Sequence, residues 1–174
     1  MKRPFPLRSL LAASLALCPM AQLDAAPRAA SPPATATGTL LFPLEIVKNR
    51  DLDFGNIAAG ATAGTVIINP ETDTISATGG ALLLGGAPHA AQFTGAAKGN
   101  NVVIIRIPKQ PVTLTRVGGT QTMTANNFTL QGLDKRAVAA RVAFDFKVGA
   151  TLNVGANQAE GTYVGTFDVS IQYP

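Results

Sequence analysis

Tyr163-Val-Gly-Thr-Phe-Asp-Val-Ser-Ile-Gln-Tyr173 alternates without a break: Tyr163, Gly165, Phe167, Val169, Ile171 and Tyr173 share one parity, and Val164, Thr166, Asp168, Ser170 and Gln172 the other. Side chains of a strand point alternately to opposite faces, so this segment is expected to form one long β-strand, half-buried, with its large residues inward. A strand that ends in an aromatic residue just before Pro174 can be completed, clamped or exchanged by a partner strand along its main-chain edge. Tyr163, Phe167, Val169, Ile171 and Tyr173 are therefore candidate strand-pairing residues.

The same alternation recurs outward from this stretch. Arg141 to Leu152 places Val142, Phe144, Phe146 and Val148 on one parity, with Asp145 on the wet one. Val112–Val117 and Gln121–Leu130 flank Gly118-Gly119, a turn that hairpins use because glycine accepts positive φ. Asn101–Ile107 reads as a strand closed by Pro108 and Pro111, and Gln92-Phe-Thr94 as another. Gly64–Pro70 and Leu52–Gly55 suggest a fuller and a shorter strand around a Gly/Ala-rich turn, with Thr74–Thr78 following. Leu40, Phe42, Leu44 and Ile46 share one face of an edge strand, since Pro43 on the other parity would interrupt a central ladder. These four complete the candidate strand-pairing set. Helical periodicity is sustained nowhere for three turns. Eight to ten short strands with frequent turns predict an all-β chain, an immunoglobulin-like β-sandwich, with a small barrel as the alternative.

Composition fits that class. A length of 174 residues, 47% hydrophobic and 14% charged, supplies one ordinary core, hence one domain, expected over 40–174. Residues 1–25 have the three parts of a cleavable signal peptide: a basic start from Met1 to Arg8, an apolar run from Leu10 to Leu17, and small residues at Ala25 and Ala26. The run is too short to remain as a membrane span. Residues 26–39, rich in Ala, Pro and Thr, read as a flexible linker or arm. Cys18 is the sole cysteine and lies in the leader, so the exported portion is expected to hold together without disulfides. Leu15-Ala-Leu-Cys18 resembles a lipoprotein box, but Leu17 stands where that signal takes a small residue. Removing three cations and one anion with the leader lowers the formal charge from +4 to +2, and no basic stripe is left to suggest nucleic acid.

Reactive chemistry finds little support. His89 is the only histidine, which excludes a histidine-rich metal cluster, and it is expected to be solvated in a loop after Pro88. Asp51/Asp53, Glu71/Asp73 and Asp145/Asp168 are the carboxylate pairs to weigh for acid–base work, with the first also weighed for calcium. Each is more simply explained by a turn or a strand's wet face. Lys135-Arg136 reads as a solvated loop cluster. No catalytic residue, metal or cofactor is expected. Residues 79–98 form the longest stretch without an assigned strand, the natural place for loops that bind a small ligand or glycan.

Leu52-Asp-Phe-Gly-Asn-Ile57, Gly119-Thr-Gln-Thr-Met123, Gly149-Ala-Thr-Leu152, Gln158–Tyr163 and Gly165-Thr-Phe-Asp-Val169 resemble the bacterial domain-of-unknown-function family 4402 (DUF4402). More distantly, the LDFG opening and the G-T-Y-x-G-T-F-x-V-x-I-x-Y ending look like spore-coat protein U and the pilin subunits assembled by chaperone and usher. The resemblance implies an exported sandwich at the cell surface and brings no catalytic residues. It also implies partners: a periplasmic chaperone or neighbouring subunits, bound by strand addition. Leu40, Phe42, Leu44 and Ile46 could then be a donor arm, or simply the first strand of a self-complete domain.

Overall fold

The computed structural model describes residues 35–38, 40, 43–97, 99 and 101–174. The chain divides into Met1–Thr39, of which only residues 35–38 are described, exposed and without regular structure, and Leu40–Pro174. The leader expected over 1–25, Cys18 and Phe42 lie outside the described residues.

The second unit is all-β, as its alternation predicts, with eleven strands rather than eight to ten. They are β1 (Leu44–Arg50), β2 (Asn56–Asn69), β3 (Thr74–Gly85), β4 (Ala91–Ala97), β5 (Asn101–Arg106), β6 (Val112–Arg116), β7 (Thr122–Leu130), β8 (Lys135–Val138), β9 (Ala143–Val154), β10 (Tyr163–Val164) and β11 (Ser170–Gln172). All pairings are antiparallel. The spine is β9, whose Phe146, Val148, Ala150, Leu152 and Val154 are all buried at a period of two. Along one side it carries β4, from Ala96↔Ala143 to Ala91↔Val148, and then β2, from Ile67↔Thr151 to Gly64↔Val154. Its other side carries β7, which passes the sheet on through β6 to β10, while β1 and β3 form the outer edges of β4 and β2.

Two cores result. At one end a three-stranded sheet, β11-β5-β8, lies over the β1-β4-β9 part of the large sheet. There Ile105 and Ile171 meet Phe93, Phe146 and Val148, while Val103 and Val138 meet Ala97. Gly95 lets Phe144 cross the sheet face, since a Cβ there would sit 2.5 Å from the Phe144 ring. At the other end the large sheet curls on itself, and Val66, Ile68, Ala81, Met123, Ala125, Leu152 and Val154 gather inside the curl with Phe54. Among the described residues no second sheet covers that end.

Three sequence expectations are corrected. The Gly/Ala-rich run expected as a turn between Gly55 and Gly64 is the first half of β2, which carries residues 60–63 as an excess opposite Gly80. Leu52–Gly55 contributes only a bridge, Asp53↔His89, not a strand. The third correction concerns the stretch that decided the class. Its parity holds from Tyr163 to Tyr173, with Tyr163, Phe167, Val169, Ile171 and Tyr173 half-buried and the intervening residues exposed. Yet it is not one ladder: β10 pairs with β6, β11 pairs with β5, and residues 165–169 belong to neither. The cause lies opposite. Between Val164↔Thr115 and Ser170↔Arg106 the β5–β6 side has the longer chain, including Pro108 and Pro111, which have no N–H to give. That connection bulges away, leaving a hollow of about 340 Å³ against Thr166, Phe167, Asp168 and Ser170. The segment therefore stitches the edge of the large sheet to the edge of the small one.

Candidate functional site

The curl of the large sheet does not close. Along its seam lies a cleft of about 640 Å³, with Leu52–Ala59 on one wall and Glu160–Tyr163, Gly165 and Phe167 on the other. Its floor is core: Leu114, Met123, Ala125, Phe128, Leu152 and Val154. A seam of this kind sets half-buried Leu114 and Phe128, with buried core beneath them, beside a strand edge, the two features an added strand needs. The edge is supplied by the segment from Tyr163 to Gln172, which among the described residues pairs with β6 and β5 on one side. Its other side faces the seam and then β1, which runs close to β11 without pairing to it.

Several contacts fix the geometry of the walls. Tyr163 donates its hydroxyl to the Ala159 carbonyl at 2.7 Å and accepts from Gln158 Nε2 at 2.7 Å, so the 155–162 turn is tied to the strand it precedes. Arg116 Nε donates to the Glu160 carbonyl at 2.5 Å. Gly165 passes so close to β6 that a Cβ would lie 2.6 Å from the Thr113 carbonyl oxygen. Phe167 packs its ring on Phe128, 5.1 Å between centroids. On the opposite wall the Asp53 carboxylate accepts the Gly55 amide at 2.8 Å, which makes the turn that aims Phe54 inward.

The candidate strand-pairing residues are thus distributed along one line. Tyr163 and Phe167 line the cleft, Val169 and Ile171 pack on the covered core, and Tyr173 packs beside Leu44. Leu44 and Ile46 are in β1, paired to Ala97 and Gly95, with half-buried side chains. They form the first strand of the chain's own sheet, the simpler of the two roles the sequence left open. Leu40, by contrast, is 92% exposed.

Most of the groups weighed for reactive chemistry are engaged in structural contacts. His89 is half-buried rather than solvated: its backbone pairs with Asp53 and its Nδ1 bonds the Ala87 carbonyl at 2.8 Å. Asp51 pairs with Lys48, Asp145 accepts from Thr94 across the sheet, and Glu71 accepts the Gly132 amide. Asp73 was legible only as half of a carboxylate pair, and the structure makes it a junction. In a turn at φ 58, it accepts from Arg50 at 2.8 Å, Lys147 at 2.9 Å and the Ala90 amide at 2.8 Å. Burial opposes its ionisation, but the Ala90 amide, Lys147 and Arg50 together outweigh that and hold the carboxyl well below the usual carboxylate range. Among the described residues no three His, Cys, Asp or Glu side chains gather as a metal site would require. Lys135 and Arg136 are in strand β8, not a loop, and Arg136 lies 5.8 Å from the Phe146 ring centroid while donating to the Leu133 and Gln131 carbonyls. The 79–98 stretch is likewise mostly strand, β3 running to Gly85 and β4 from Ala91. Among the described residues no helix is long and apolar enough to cross a membrane.

The model of one protein family, the Domain of unknown function (DUF4402), matches residues 44–173, from the first residue of β1 to the end of the stitching segment. No curated protein and no solved structure matches the chain.

Proposed function

The chain belongs to the DUF4402 family, and from that premise we propose that it is an exported, non-enzymatic structural or adhesive subunit of the cell surface, completed by a β-strand laid into its seam. Its chemistry is main-chain pairing. The observation that carries this reading is the conjunction at the cleft: an apolar floor beside a strand edge, 163–169, that among the described residues has no partner on the seam side. The occupant we favour is the segment preceding β1 in a second copy, residues 35–43. Leu40 and Phe42 continue the parity of Leu44 and Ile46, so the segment can present alternate apolar side chains to the floor, and Leu40 is exposed. Pairing of this kind is head-to-tail and leads to open chains of subunits, the geometry of a pilus-like assembly. A periplasmic chaperone would occupy the same seam before assembly.

Light scattering across a concentration series tests the reading. The natural sequence is expected to grow beyond a dimer, and Leu40→Asp/Phe42→Asp to stop that growth. Growth unaffected by the double substitution would remove the arm from the account, and binding of a glycan in the cleft in its place would favour a ligand-binding module.

A further inference from the structure

A second edge of the molecule has a different character from the seam. Strand β3 pairs only with β2, so its outer side, Thr74–Gly85, offers unpaired main-chain groups among the described residues. Sheet edges are ordinarily guarded by charge or proline. The other edges here are short or charged: β1 carries Glu45, Lys48 and Arg50, β8 carries Lys135 and Arg136, and β10 and β11 are two and three residues long. In β3, a strand of twelve residues that bends at Gly79 (φ 65) opposite the excess of β2, there is neither a charge nor a proline. The neighbouring strand is as bare. From Asn56 to Gly85 the only charges are Glu71 and Asp73, both in the turn and both engaged. On the outer face of the free strand Leu82 is 61% exposed, while Leu84, 65% exposed, lies at the register shift between Leu83 and Gly85 beside the cleft.

We propose that β3 is a self-association edge, on which a second copy of this chain pairs antiparallel through its own β3 to continue the sheet across a two-fold axis. Charge selects this occupant. Two copies of one strand meeting antiparallel confront each other with the same side chains, so a charged edge such as β1 sets Lys and Glu in positions fixed by register. An uncharged edge meets itself without repulsion. A two-fold axis normal to the sheet keeps outer face on outer face, so Leu82 of each copy comes to lie against the other's strand and leaves water. The contact is isologous and closes at two copies. It is independent of the head-to-tail contact proposed for the seam, and Leu82 is the better position to test because Leu84 also borders the cleft.

Sedimentation equilibrium on Leu40→Asp/Phe42→Asp, with and without Leu82→Lys, separates the two contacts. With the arm disabled, a monomer–dimer equilibrium is expected. Adding Leu82→Lys is expected to weaken it at least about tenfold, whereas Val47→Lys on the charged β1 edge leaves it unchanged. Amide exchange across Thr74–Gly85 should slow with concentration in the parent and not in the Leu82→Lys variant. A monomer at every soluble concentration would overturn the proposal. So would a dimer that survives Leu82→Lys, or one whose formation leaves exchange in Thr74–Gly85 unaltered.

Discussion

The two ends of this domain are built from the same large sheet and differ in what lies over it. At the covered end the sheet β11-β5-β8 seals Phe146, which is fully buried, stacked on Phe93 at 5.4 Å and approached by the Arg136 guanidinium. At the open end the sheet curls toward itself, and Phe54 and Met123, buried like the rest of that core, line a cleft of about 640 Å³. A sheet needs its apolar face covered, and among the described residues one end gets a second sheet while the other gets only its own curvature. The difference separates a region that holds the fold from a region left to receive a partner.

The largest expected break in this comparison is at the covered end. Phe146→Ala is expected to cost about 3–5 kcal/mol in urea unfolding, because a sealed site cannot relax around the void. Leu114→Ala on the cleft floor is expected to cost about 1–2 kcal/mol, since that side chain is only half-buried to begin with. Equal losses would mean that the two ends are equally packed. Next in size is Tyr163→Phe, which removes the hydroxyl shared by Ala159 and Gln158 and is expected to cost about 0.5–1.5 kcal/mol in the same measurement.

Asp73 ties the ends together, since Arg50 closes β1 and Lys147 lies on β9. Its carboxyl ionises at lower pH in the folded chain than in the unfolded one. The stability it contributes is therefore complete above the ordinary carboxylate value and lost as pH falls through the lowered one. Asp73→Asn is expected to be less stable near neutrality and to show a shallower decline below about pH 4 in acid titration. Parallel acid curves for the two proteins would remove Asp73 from this role.

What the sequence disclosed follows from which interactions are local. Faces were legible: from Tyr163 to Tyr173 every inward position but Gly165 is half-buried and the positions between are exposed, and Phe144, Phe146 and Val148 keep their shared parity. Ladders were not, because pairing depends on the strand opposite. Pro108 and Pro111, read as the end of a strand, also break the ladder of a segment far along the chain. The first half of β2 was missed because its Gly and Ala side chains carry no amphipathic signal, and β8 because Lys135-Arg136 looks like a loop until Phe146 gives the guanidinium a ring to approach. The candidate site was legible as an edge but not as a cleft. Its walls, Leu52–Ala59 and Tyr163–Phe167, are brought together only by the curl of the sheet.

Hydrogen exchange at the amides of Gly165–Val169 tests the seam most directly, measured on Leu40→Asp/Phe42→Asp with and without a peptide of residues 35–43. The account predicts rapid exchange in the protein alone and a slowing of at least about tenfold when the peptide is present in saturating amount. Exchange already slow in the lone monomer, or unchanged by the peptide, would contradict it.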